Sequence, residues 1–169
     1  MDLRPELLPP SVPLARVEQL GREIDRVETL LCGADRVAAE EAVAAFAEAT
    51  GHDCPAASFL GCAGSRTREE FALEAARPAY PRVPDVTRDE LVEVVRRILA
   101  ADTDAEYHLR LFTANVTRPA ASDLIFHPPS DLANASAEQI VDAAPAHRPI
   151  ALRGNEDLRN CLAARPGWR

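Results

Sequence analysis

Four times in this chain a serine or threonine stands three residues ahead of a glutamate or glutamine, at the head of a stretch with apolar residues at helical spacing. The pairs are Thr67–Glu70, Thr87–Glu90, Thr103–Glu106 and Ser136–Gln139. In such a capping box each side chain accepts from the other residue's backbone N–H, so two donors that a helix start leaves orphaned are satisfied. Prolines close what the boxes open. Pro78, Pro119 and Pro145 follow three of the stretches, and a ring without an N–H cannot continue a helix. Two earlier helices lack a box. Val17, Leu20, Ile24, Val27 and Leu31 fall at i, i+3, i+7, i+10 and i+14, with Gly33 placed to end them. "RVAAEEAVAAFAEAT" predicts an alanine-rich helix ending near Gly51. After Thr87, residues Leu91, Val94, Val95, Ile98 and Leu99 share a face; after Thr103, Leu109, Phe112 and Val116 do. No pair of runs alternates with period two, so the fold class is all-α.

A length of 169 residues suits one average domain or two small ones, and 47% apolar with 27% charged residues is globular composition. The formal net charge of -8 argues against nucleic acid or an anionic membrane as direct ligand and favours a basic partner. No lysine occurs; all 19 basic side chains are arginine, from which no function is drawn. Without a secretory signal or an apolar run of about 20 residues, a cytoplasmic protein is expected. Cys32, Cys54, Cys62 and Cys161 form no C-x-x-C pair. The densest cluster, "HDCPAASFLGC" with His52, Asp53, Cys54 and Cys62, lacks the paired spacing of a zinc site, so neither metal nor cofactor is expected.

The chain repeats itself. Ile24, Val27, Leu31, Ala34 and Asp35 match Leu91, Val94, Ile98, Ala101 and Asp102 at one offset, and Phe46 matches Phe112. "PAAS" at 55–58 recurs at 119–122, and "TREEFALEAARP" parallels "SAEQIVDAAPAHRP". Because the order of matches is preserved, a decayed tandem duplication is favoured over chance likeness between alanine-rich helices. The expected division is an irregular Pro-rich leader 1–13, a helical unit 14–80, a linker 81–86 within "YPRVPDV", a second unit 87–151 and a polar, net basic tail 152–169 with Trp168 available to dock back. Each unit reads helix, helix, short turn, helix.

The stretch "SDLIFHPPSDL" at 122–132 is the chain's most unusual. Pro128 and Pro129 stop its apolar run after one turn, and no partner strand is available. Together with "RDELVEVVRRILAAD", "NVTRPAASDLIFHP" and "SAEQIVDAAPAHRPIAL", it resembles the immunity proteins of colicin- and pyocin-type nuclease bacteriocins. The resemblance spans about residues 84–151 and reaches 14–80 only through the repeat. It implies two tandem distorted antiparallel four-helix bundles, the third helix of each very short. It implies a non-catalytic inhibitor that binds a cognate nuclease beside its active site and blocks nucleic acid by sterics and negative charge. The third-helix positions are Ser122, Asp123, Phe126, His127 and Pro128; Glu106, Leu109, Arg110 and Thr113 of the second helix would line the partner-facing side. Two departures stand out: the family's tyrosine-containing ring pair is here Phe126 with His127, and the specificity helix is shorter than in the colicin members, with Thr113 where an acidic residue is common. The implied partner is a basic nuclease domain, with a monomer as the default free state.

The residue types are suited to that role. Phe126 and His127 are flat rings that bury area at small entropic cost, and Asp123 can accept charge-assisted hydrogen bonds. Each has a plainer reading. Phe126 and Leu109 can be core, His127 an exposed loop residue, Asp123 a cap for the turn, and Glu106 a capping-box member. The first half reads Phe59, Leu60, Gly61, Cys62 and Ala63 after its "PAAS", without the aspartate and the ring pair, so scaffold is the favoured role there. The competing function is an orphan interaction module that kept the fold without a nuclease target. An enzyme is disfavoured, because the chain has no G-x-G-x-x-G, P-loop, H-E-x-x-H or nucleophile elbow, and His52, His108, His127 and His147 are scattered.

Overall fold

A computed structural model describes residues 2–60 and 66–145. His147, Cys62, Cys161 and the tail with Trp168 lie outside the described residues. All regular elements described are helical: α1 (Leu14–Cys32), α2 (Arg36–Thr50), α3 (Arg68–Ala76), α4 (Arg88–Leu99), α5 (Ala105–Asn115), α6 (Asp123–Phe126) and α7 (Ala137–Ala143). Short 3-10 turns occupy Pro5–Leu7, Ala56–Phe59 and Ser130–Leu132. The order long helix, long helix, short turn, helix thus occurs twice, once through α3 and once through α7.

The capping boxes at Thr67, Thr87 and Ser136 are formed in both directions. Asp35 caps α2 by accepting from the Ala38 amide, and Gly51 ends α2 at φ 74, the left-handed backbone that favours glycine. The box expected at Thr103 is absent. α4 closes with Ala101 at φ 50, and the Ala101 and Asp102 amides donate back to Ile98 and Arg97, a Schellman closure. Asp102 then holds the turn: its side chain accepts from the Thr103 amide and its carbonyl from Ala105. These bonds shift the start of α5 by one residue. Asp104 becomes its N-cap, and Glu106 falls too early to reach back.

Two hydrophobic clusters form. The first takes Leu20, Ile24 and Val27 from α1, Phe46 from α2, Phe59 from the 3-10 turn and Phe71, Ala72 and Ala75 from α3. Its three phenylalanines meet edge-on or tilted, with ring centroids 5.1–5.9 Å apart. The second gathers Leu91, Val94, Val95 and Ile98 of α4, Tyr107, Leu111 and Phe112 of α5, Leu124 of α6, and Ile140 and Val141 of α7. Arg88 and Asp142 make a two-bond fork between α4 and α7 at 2.7 and 2.9 Å, alongside an Arg96–Glu138 pair.

The leader is not a loose arm. Leu3 and Leu7 are buried in the second cluster, bypassing the first. Arg4 donates to the Pro84 carbonyl at 3.1 Å and pairs with Glu90 at 3.1 Å. The connecting segment is also tied down. Buried Asn115 at the end of α5 accepts from the Val83 amide at 2.9 Å and donates to the carbonyls of Pro81 (2.8 Å) and Leu111 (2.7 Å). A single amide side chain thereby satisfies two backbone groups of an otherwise irregular segment while anchoring itself to its own helix through Leu111.

Leu7 is fully enclosed, so Leu7→Ala removes its transfer free energy and leaves a cavity. We expect a loss of about 2–5 kcal/mol in urea unfolding. An unchanged midpoint would mean that the leader does not contribute to the second cluster in solution.

Candidate functional site

The single-turn helix α6 is held from beneath by one residue. Leu124 is 1% exposed and sits in the second cluster, with Ala121 buried just before it. The approach turn places Ala120 at φ 51, an uncommon backbone for a residue with a side chain. The Asp123 amide donates to the Ala120 carbonyl at 3.0 Å, and the His127 amide to the Asp123 carbonyl at 2.9 Å. Pro128 and Pro129 follow and prevent extension. With Leu124 turned inward, its neighbours face out. Asp123, Phe126 and His127 are exposed, while Ser122, Ile125 and Pro128 are half-buried.

Phe126 is not a core residue: it is 57% exposed. Nor does Asp123 cap the turn, since Ser122 holds the N-cap position and α6 has no side-chain cap bond. Among the described residues the Asp123 carboxylate makes no hydrogen bond or ion pair. An exposed aromatic ring and an uncommitted acid thus sit on the same four-residue turn.

The α5 positions are distributed differently. Thr113 is exposed, and its hydroxyl donates to the Arg110 carbonyl at 3.1 Å. Leu109 is half-buried and packs against the second cluster. Glu106 is exposed, 3.7 Å from Arg110. Arg110 is engaged by the first half of the chain: its side chain is 14% exposed, and Nη1 donates to Glu74 of α3 at 2.6 Å. Glu74 also pairs with Arg66. Nearby, Arg77 bonds Asp104 at 2.8 Å with its guanidinium 5.8 Å from the Tyr107 ring centre, and the Arg77 carbonyl lies 2.9 Å from His52 Nε2. Nothing in the sequence pairs residue 74 with residue 110, because the partners lie on helices of different halves.

His108, one residue from Leu109, is buried at 1% exposure, and neither ring nitrogen has a partner among the described residues. Burial holds its pKa below the ordinary imidazole value. The Arg97 and Arg77 cations act in the same direction, and Asp104 and Asp102 partly oppose them. Cys54, by the join between halves, has its thiol pushed up by burial, the opposite of an activated nucleophile. Among the described residues no group of three or more His, Cys, Asp or Glu is arranged to hold a metal ion, and no helix is long and apolar enough to cross a membrane.

Residues 83–149 match the family model described as colicin immunity protein / pyocin immunity protein. The matched segment is similar to that family, and it spans less than half of the chain. The match covers α4 to α7 and the turn carrying Asp123 and Phe126, and it begins after α3. No curated protein and no solved structure shows significant similarity to the chain. Among the described residues of this segment the regular elements are all helical, and the third α-helix is α6.

The state of His108 has a consequence for stability. In the unfolded chain its imidazole takes up a proton below about pH 6.5, whereas the folded protein resists that uptake. The unfolded state then binds more protons, so the stabilisation present above that pH is lost as pH falls through it. The slope from this residue is at most about 1.4 kcal/mol per pH unit. His108→Leu removes both unpartnered nitrogens, so urea unfolding from pH 7.5 to 5 should show a shallower decline in the variant. Equal slopes would exclude His108 as the source.

Proposed function

We propose that this protein is a bacteriocin immunity protein that binds a cognate nuclease domain and blocks access of nucleic acid to it. The observation that carries this reading is the outward Phe126 beside the uncommitted Asp123 on a turn anchored by Leu124. A turn whose backbone is already fixed, with an exposed ring and a free acid, has the makings of an interface hot spot, since binding orders only a few side-chain torsions. Ser122, His127 and Pro128 complete the platform, with Thr113 on α5 as a further contact. The net charge of -8 suits a target whose own task is to hold nucleic acid, both by steering encounter and by repelling the competing polyanion. The role requires no catalytic group, so the protein acts as an inhibitor and not as an enzyme, in the cytoplasm where it protects the producing cell.

The first half is a decayed copy of the same unit that has become scaffold. The two halves share their element order, and the boundary between them falls in the segment tied by Asn115. Where the second half turns Phe126 outward, the first has Phe59, 2% exposed, packed on Phe46 and Phe71. A turn whose ring is committed to the core offers no anchor to a partner.

Purified nuclease domains of colicin and pyocin type, DNases and RNases alike, provide the test. At least one should bind the full chain and lose activity on doing so. Asp123→Ala and Phe126→Ala should each weaken that complex by about 2 kcal/mol or more, roughly thirtyfold, with helical circular dichroism unchanged. Binding indifferent to both substitutions would place the interface elsewhere. Failure of every nuclease to bind would leave the chain an orphan interaction module.

A further inference from the structure

The join between the two halves leaves a cleft of about 300 Å³, with Asp53, Ser58, Tyr80, Glu106 and Arg110 in its lining. Three features give it a chemical preference. Tyr80 is 70% exposed, a large ring left in water beside a polar hollow. Its backbone is not free, because the next residue's carbonyl is held by the buried Asn115 amide. The two arginines of the cleft share one carboxylate, both pairing with Glu74, and Arg110 also faces Glu106; with Asp53 the charged lining sums to a single net negative charge. The acids at the rim are not matched in the same way. Asp53 is exposed and has no ion pair among the described residues, and Glu106 is exposed and only loosely placed, 3.7 Å from Arg110. What remains is an exposed aromatic ring with the unpaired Asp53 and the loosely paired Glu106, an arrangement that accepts a guanidinium or ammonium group through charge-assisted hydrogen bonds and a cation–π contact.

We propose that this cleft takes an arginine or lysine side chain from the basic surface of the protein partner. The first half would then contribute to recognition through Tyr80 and Asp53, although it carries no α6-like anchor. This inference rests on the proposed immunity function. It also changes what α5 can offer. With Arg110 drawn against Glu74, a partner approaching that end of α5 meets a composite surface built by both halves, with Glu106 at its rim. Discrimination between related nucleases would therefore depend on residues outside the matched segment, since Asp53 and Tyr80 both precede residue 83.

The test uses the full chain and, from the colicin- and pyocin-type nuclease panel, a domain that binds it. Tyr80→Ala should raise Kd at least tenfold. Asp53→Asn combined with Glu106→Gln should slow association and flatten its dependence on salt. Thermal unfolding of both variants should stay close to the parent, because these side chains are exposed. Asp123→Ala serves as the reference for the α6 platform. A complex that is lost with Asp123→Ala yet unchanged within twofold by the Tyr80 and Asp53/Glu106 variants would overturn the cleft proposal and leave the immunity reading intact. If no nuclease domain binds the parent chain, both readings fall together.

Discussion

A bundle of roughly 65 residues is short of apolar surface to bury, and much of this chain's construction follows from how each half meets that shortage. The first half turns its aromatic rings inward: Phe46, Phe59 and Phe71 form a three-ring cluster under α1. The second half receives Leu3 and Leu7 from the leader and so enlarges its core from outside its own sequence. That help bears on the site. Because the core is filled by Phe112, Leu124 and the leader leucines, Phe126 can remain in water.

The join between the halves is built from charge. Glu74 accepts from both Arg66 and Arg110, and Arg77 spans to Asp104 while lying near the Tyr107 ring. These groups are only partly exposed, so the pairs are less screened than ordinary surface bridges, and their desolvation offsets part of the attraction. The benefit lies in geometry: each of Arg110 and Arg77 directs one Nη1–H at a carboxylate across the join, a directional contact that apolar packing lacks. The placement decides which part of α5 is covered and which part of its rim stays open.

Much of this was legible in the residues. Three of four capping boxes form, the proline stops hold, and the one-turn helix over 123–126 is where the prolines demanded it. These are local effects, decided within a few residues of chain. The Thr103 box fails because Asp102 competes for the same turn, a contest between two reasonable local patterns that only the three-dimensional closure of α4 resolves. Which core the apolar leader joins, the role of Asn115 and the Glu74–Arg110 pair were not legible, since each joins residues more than 30 positions apart. No periodicity marks such a partnership in advance.

The tetrapeptide Pro-Ala-Ala-Ser separates the two kinds of information. At 55–58 it runs into a 3-10 turn that delivers Phe59 to the core; at 119–122 its first alanine adopts φ 51 and the following turn delivers Leu124 instead. Identical residues thus take two conformations, because the side chain that must be buried stands immediately after the tetrapeptide in one copy and one residue later in the other. By itself the sequence determined the helical class, the helix starts with working caps, and a one-turn platform bearing an acid and two rings, all through local hydrogen bonding and steric exclusion. Tertiary structure alone decided which ring faces water, that Arg110 is drawn to Glu74, and that a cleft opens beside Tyr80, because burial and ion pairing between distant segments are settled only when the cores close.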